Sequence, residues 1–318
     1  MGGLLEGFGT VPETRAVAEA AVAANPWFTL SDVVFSVDAV RRNMLDAAVS
    51  ARWLSFYGAN ERTVRSRVAV IMAGNIPLVG LSDLLCVVAS DCIPYIKMSS
   101  KDSVLMEYVV GLLCGLAPGI RVERYVPEER YDAAIATGSD NANRYFRAHY
   151  AGIPSLLRGS RQSVAVLSGR ETPEQLAGLA DDIWAYSGLG CRSVSLIFAP
   201  EGYEPALQIP PVNDKYINNY RQQRALLEMQ GRPFVDLGCA VAVEQCAFPA
   251  ALSRIAYAHY ATLDEVVAWL AGHDGELQCV VTGCLPHSRR AGFGCAQSPA
   301  LTDYPDDRDV LAWLAALD

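Results

Sequence analysis

The sequence predicts an α/β protein made of two doubly wound αβα units, each a largely parallel sheet covered by helices. Three observations carry that prediction. From about residue 67 onward, short apolar runs alternate with amphipathic helical stretches. Each apolar run ends at small or polar residues, as strands do in a parallel sheet with right-handed crossovers. The 318 residues are enough for about two domains with a sizeable core.

The elements follow in order. The first sixty residues read as helical: TRAVAEAAVAAN and VDAVRRNMLDAAVSARWLSFYG carry helical periodicity, and Asn25–Pro26 separates them. RVAVIMAG (67–74) is a short buried strand. LVGLSDLLCVVAS is a helix, CIPYIKMSS a second strand, and residues 103–116 a helix. YDAAIATGS is a third strand, followed by the helix DNANRYFRAHYAG. SVAVLSG (163–169) opens the second alternation. TPEQLAGLADDIWAYSG then reads as a helix with Thr172 as N-cap, Pro173 at the first helical position and Gly188 as its end. The strand SVSLIFAP comes next, the loop-like GYEPALQIPPVND follows, and the alternation runs to about residue 285.

Composition narrows the partners. A net charge of −9 repels a polyanion, so nucleic acid is not expected. The nine cysteines contain no CxxC, are odd in number and mostly lie in apolar runs, which points to a reducing cytoplasm rather than a disulfide framework. The four histidines do not pair with cysteines at zinc-ligand spacing, so no metal site is expected. MGGLLEGFGT has no cationic start, and Glu6 interrupts it before an apolar stretch forms. YVVGLLCGLAPGI is short and broken by Pro118, so it reads as a core helix and no membrane span is expected.

The chemistry concentrates at the strand ends. In AYSGLGCRSVSLIFAP (185–200), Cys191 stands in a turn with Gly188 and Gly190 before it. Such a turn lets the backbone bend sharply and a substrate approach closely. A thiol beside backbone N–H groups is a nucleophile once its thiolate is stabilised, although cysteine is also among the residues most often simply buried. In MAGNIP (72–77), Asn75 stands on a tight turn, where its amide can donate to a developing oxyanion or cap its own backbone. KMSSK places Lys97, Ser99, Ser100 and Lys101 after a strand, either as a cofactor-binding edge or as a solvated strand end. Thr137, Gly138 and Ser139 open a helix whose N–H groups suit a phosphate or packing beneath a nicotinamide ring. Ligands of parallel sheets lie outside the carboxyl ends of the strands, where Gly74–Asn75, Lys97–Ser100 and Thr137–Ser139 stand, whereas Cys191 sits at a helix-to-strand junction.

The order Asn75, Lys97, Gly138–Ser139, Cys191 resembles the aldehyde dehydrogenase superfamily. Within it, AGNIPLVG, IKMSSKDS, DAAIATGSDNANRYF, RQSVAVLSG, IWAYSGLGCRSVSLIFAPEGY, KYINNYRQQRALL and FGCAQSPALTDY look like the acyl-CoA reductase branch, the LuxC-like fatty acyl reductases. These stretches run in family order from about residue 68 to 304, and NPWFTLSDV looks like the family's lead-in. The resemblance implies an aldehyde dehydrogenase-like fold of two Rossmann-like domains with the active site between them. It assigns residues 1–160 to the N-terminal helices and the dinucleotide-binding domain. Residues 161–285 become the catalytic domain, and residues 286–318 a segment returning to the cofactor domain. It implies Cys191 as nucleophile and Asn75 as oxyanion donor. Lys97, Ser99, Ser100, Lys101, Thr137, Gly138, Ser139 and Phe293 become cofactor contacts.

Departures from the family pattern refine the expectation. LLRGSRQ (156–162) matches the turn where aldehyde dehydrogenases carry the glutamate that activates water, and it holds no carboxylate. That favours reduction of an acyl thioester over release of an acid. Ser100–Lys101 stands where NAD-preferring members place a carboxylate, which favours NADPH, with NADH as the alternative. In AGFGCAQSP the carboxylate that holds the nicotinamide ribose is missing; Phe293 remains, and Gln297 is the substitute. The expected substrate is acyl-CoA or acyl-carrier protein, with an acyl-transfer partner protein and self-association as further partners. The competing readings are an NAD(P)-dependent aldehyde or semialdehyde dehydrogenase and a non-catalytic partner-binding subunit of the same fold.

Overall fold

The computed structural model describes residues 1–58 and 64–317; residues 59 and 60 of the expected helical lead-in, and Asp318, lie outside the described residues. The chain forms two compact units, Met1–Ser160 with Ser298–Asp318, and Arg161–Gln297.

The first unit opens with α1 (Pro12–Ala24), α2 (Leu30–Asn43) and α3 (Ala47–Leu54). The long helical stretch expected after Pro26 is two helices, because Asp46 accepts from the amides of Ala48 and Val49 and starts a new one. The alternation follows as β1 (Arg67–Ile71), α4 (Leu81–Ala89), β2 (Ile93–Lys97), α5 (Ser103–Leu116), β3 (Glu123–Arg124), β4 (Ala133–Thr137), α6 (Asp140–His149) and β5 (Ser155–Arg158). The sheet order is β3-β2-β1-β4-β5, parallel throughout. Strand periodicity assigns its two faces. Val68, Val70, Ala133, Ile135 and Leu156 pack with Leu81, Leu84, Leu105 and Met106. Ala69, Ile71, Ala134, Ala136 and Leu157 pack with Tyr131, Phe146 and Tyr150. The strand order reverses between β1 and β4, and that switch point is where open parallel sheets bind ligands.

One expectation fails here. Residues 156–158 are not a turn but most of β5, with Leu156 and Leu157 facing opposite layers. Arg158 is buried and donates through Nη1 to Asp83 Oδ2 at 2.6 Å, so only residues 159–161 form the connection. The apolar alternation of this segment suits an edge strand better than a loop.

The second unit contains β6 (Gln162–Val166), α7 (Pro173–Trp184), β7 (Val194–Pro200), α8 (Asp214–Met229), β8 (Val235–Asp236), β9 (Val241–Glu244), β10 (Arg254–Tyr260), α9 (Leu263–Gly272), β11 (Leu277–Thr282) and β12 (Arg290–Ala291). The sheet runs β12-β11-β6-β7-β10-β9-β8, and only β8 is antiparallel to its neighbour. Val164, Val166, Leu196, Phe198 and Ala256 pack with Val266 and Leu270 of α9. The return to the first unit comes at residue 298 rather than 286, because β12 pairs with β11 and holds residues 286–297 in the second unit. The returning segment ends in α10 (Val310–Ala315), whose Val310, Leu311 and Leu314 join the first unit's core. Among the described residues no helix is long and apolar enough to cross a membrane.

Candidate active site

The first unit brings its expected residues to the carboxyl edge of β1, β2 and β4. Asn75 follows β1, half-buried at the bend of the AGNIP turn. The hydrogen bonding of β1 and β2 continues past the strand, with Met72 N donating to Lys97 O at 3.0 Å. The AGNIP and KMSSK turns therefore leave the sheet side by side. They are in close contact: a Cβ on Gly74 would lie 2.5 Å from Ser99 Cβ, so only glycine fits there. Ser36 Oγ holds the AGNIP turn from beneath by donating to Pro77 O at 2.8 Å. Asn25 Nδ2 holds the KMSSK turn by donating to Lys101 O at 3.1 Å. Lys97, Ser100 and Lys101 are exposed and Ser99 is half-buried. No ion pair engages either lysine among the described residues, which leaves two cations at the edge of a switch-point sheet.

Thr137 ends β4, and Gly138 and Ser139 follow it. Gly138 is closely packed: a Cβ there would stand 3.0 Å from Ala142 Cβ and 3.1 Å from Phe146 Cε2, so a larger residue would have to push these neighbours aside. Ser139 Oγ caps α6 by accepting from Ala142 N, and Asp140 stands in the first turn. A carboxylate at that helix end opposes a second anion. Of the two sequence readings, packing against a neutral ring therefore gains over phosphate binding.

In the second unit Cys191 lies at the amino edge of β7, at the helix-to-strand junction. The helix expected to run to Gly188 stops at Trp184. Tyr186, Ser187 and Gly188 then have φ of 55°, 55° and 64°, three consecutive left-handed residues of which only the last is glycine. Left-handed backbone at a buried tyrosine and serine is strained, and such strain persists where the surroundings enforce it, often at functional sites. Cys191 itself is half-buried. Its carbonyl accepts from Ser163 Oγ at 2.9 Å. Ser163, on β6, is fully buried and also accepts from Cys279 N at 3.1 Å and Cys279 Sγ at 3.2 Å. The thiol turn is thus fixed to the sheet from below.

Phe293 lies on a loop that rests on α7. A Cβ on Gly178 would come within 2.8 Å of Gly294 N, so glycine permits the approach. Asp182, fully buried on α7, accepts from Gly294 N at 2.7 Å and Ala296 N at 2.9 Å. Gln297 does not stand in for the missing ribose carboxylate. It is buried and donates through Nε2 to Asp182 O at 3.2 Å and Ser193 Oγ at 3.3 Å, tying the Phe293 loop to the residues after Cys191.

Two buried carboxyls in these supports have a consequence for stability. Burial pushes Asp102 and Asp182 up to about 7, outweighing the backbone hydrogen bonds that each accepts. A carboxyl raised in the folded state stabilises fully below its unfolded value near 3.8, and that stabilisation is lost as pH rises through about 7. Thermal melts between pH 5 and 8 are expected to show falling stability, at up to about 1.4 kcal/mol per pH unit for each group. Asp102→Asn is expected to flatten the curve; an unchanged slope overturns the assignment.

Asp102, Ser163 and Asp182 escaped the sequence reading. The signal for Asp182 was available: it falls on the apolar stripe of its helix between Leu179 and Ile183. Nothing in the sequence marks Ser163, a strand residue, or Asp102, the residue before a helix. Among the described residues no three His, Cys, Asp or Glu side chains converge as metal ligands.

No protein-family model and no curated protein matches the chain. Solved structures do. An oxidoreductase from Marinobacter aquaeolei is 13% identical with a TM-score of 0.62, over 90% of this chain and 75% of that one. Aldehyde dehydrogenase 21 from Physcomitrella patens, in complex with the reaction product succinate, is 11% identical with a TM-score of 0.61, over 85% of this chain and 70% of that one. An aldehyde dehydrogenase from Mycobacterium tuberculosis complexed with NAD+ is 15% identical with a TM-score of 0.52, over 82% and 71%. The chain has an aldehyde dehydrogenase-like fold.

Proposed function

We propose that the protein is a nicotinamide-dependent oxidoreductase that reduces an acyl thioester, carried on CoA or acyl-carrier protein, to an aldehyde through an acyl-Cys191 intermediate. The observation that carries the reading is the thiol turn: three left-handed residues and the Ser163 bond present Cys191 at a strand edge in a fold shared with aldehyde dehydrogenases. The segment 156–162 adds the direction of the reaction. It offers two leucines, a buried ion-paired arginine and no carboxylate to activate water.

The residues fit a dinucleotide. The switch-point edge and the exposed Lys97, Ser100 and Lys101 would hold it. Ser100 and Lys101 suit a 2′-phosphate and hence NADPH. When bound, the reduced nicotinamide supplies a hydride. Cys191 thiolate attacks the thioester carbonyl carbon; a carbon–sulfur bond forms, the bond to the carrier sulfur breaks, and the carrier leaves as its thiol after taking a proton. Asn75 and the Cys191 backbone N–H stabilise the oxyanion in this step and again when hydride adds to the same carbon. Collapse breaks the bond to Cys191, restores the thiolate and frees the aldehyde. A thiol suits the task because its acyl ester is electrophilic enough to accept hydride.

A panel of acyl-CoA thioesters with NADPH and NADH, followed at the nicotinamide absorbance, tests the reading. Cofactor oxidation with aldehyde formation is expected. Acid formation from aldehyde and oxidised cofactor without CoA, and no thioester reduction, would favour an ordinary dehydrogenase. Asn75→Ala is expected to lower turnover by two to three orders of magnitude, about 3–4 kcal/mol, with a smaller effect on substrate binding. Unchanged rates of acylation and hydride transfer would reduce Asn75 to a turn residue.

A further inference from the structure

Asp102 departs from its station. It is the N-cap residue of α5, yet its side chain makes no capping bond to that helix. Asparagine, aspartate and serine are favoured at N-caps because their oxygens accept from the first-turn amides. Here Oδ2 reaches across instead and accepts from Leu78 N at 2.7 Å, in the turn that carries Asn75. Leu78 has φ of 58°, a left-handed conformation that a leucine adopts only when held. Asp102 is 3% exposed, and its Oδ1 has no hydrogen-bond partner. A buried carboxylate kept with a single bond is costly, so that bond has a use.

The surrounding contacts show what it holds. Asp102 N donates to Ser99 O at 3.1 Å, anchoring the aspartate to the KMSSK turn. Gly74, immediately before Asn75, lies against Ser99 and Asp102 Cβ. Asn75 is therefore bracketed, with a steric contact one residue before it and the Asp102 bond three residues after it. Both contacts come from the turn that carries Ser99, Ser100 and Lys101.

We propose that Asp102 is a positioning residue that sets the Asn75 amide by fixing Leu78, and so mechanically joins the cofactor-side turn to the oxyanion turn. The proposal rests on the reading of Asn75 as oxyanion donor. Asparagine at position 102 keeps the acceptor oxygen; leucine removes it at similar volume. Serine, too short to reach Leu78, serves if the leucine variant does not fold.

The experiment measures kcat per active site, titrated by the burst of carrier thiol, and KM for acyl-CoA, in the wild type, Asp102→Asn, Asp102→Leu (or Asp102→Ser), Asn75→Ala, and Asn75→Ala combined with the leucine or serine variant. Asp102→Asn is expected to stay within about threefold of wild type. The variant without the acceptor is expected to lose ten- to a hundredfold in kcat with KM changed less than threefold. It should lose little or nothing further when Asn75 is already alanine. Equal losses in both backgrounds, or wild-type kcat per site without the acceptor, overturn the positioning role while leaving Asn75 in place. Wild-type kcat for Asn75→Ala overturns the reading of Asn75 itself, and the proposal with it.

Discussion

Cys191→Ala is expected to abolish thioester reduction, by about ten-thousandfold or more, while the fold and dinucleotide binding survive. The loss is that large because thioester reduction on this reading runs through a covalent acyl-Cys191. Burial pushes the thiols of Cys239 and Cys279 up to about 11, and that of Cys86 upward as well, so none of them supplies thiolate near neutrality. Cys246 and Cys295 are exposed; Cys295 also follows a left-handed glycine, Gly294, but its loop is tied down on α7 by the Gly294 and Ala296 amides donating to Asp182. Mass spectrometry of the enzyme incubated with acyl-CoA should place the adduct on Cys191. Near-normal turnover of the alanine variant, or an adduct on any other cysteine, overturns the assignment.

The acyl-enzyme is expected to persist in water and to discharge rapidly when NADPH is added. Without a positioned base, water attack lacks roughly a hundred- to ten-thousandfold of assistance. Hydride needs no base, since it arrives with its own electron pair. In the segment that matches the relatives' base-bearing turn, Leu156 and Leu157 are sheet core, Arg158 is committed to Asp83, and the Asp140 carboxylate beside it accepts from Ser160 N at 3.1 Å. Glutamate at 158 would bury two carboxylates together, so an attempt to install a hydrolytic base there is expected to unfold the first unit instead. Labelled acyl-CoA incubated without cofactor should leave its label on the protein through gel filtration, and NADPH should release it as aldehyde. Rapid loss of label as acid would show that another base reaches the thioester.

The sequence by itself determined the architecture and which residues stand at the strand ends. Helical and strand periods located most of the elements, because burial on one face leaves a mark at every third, fourth or second residue. The residues 103–116 read as helical are α5, and Thr172–Pro173 marks the start of α7. Strand ends are legible because they break the apolar runs, so Asn75, Lys97 and Gly138 were visible as the groups a parallel sheet turns toward a ligand.

Only the tertiary structure decided what holds those groups. Periodicity carries no information about bonds between residues distant in sequence. Asp102 looks like any helix cap until its oxygen is found on Leu78, and Gln297 looks available until its amide is found on Asp182 O and Ser193 Oγ. The left-handed run at 186–188 was hidden for a related reason: its φ values are imposed on a tyrosine and a serine by their surroundings, against local preference. The edge strand at 155–158 was read as a turn because neighbouring glycine and arginines outweighed two leucines whose partners lie in separate layers. Local composition names the candidate groups; long-range packing and hydrogen bonds set their positions.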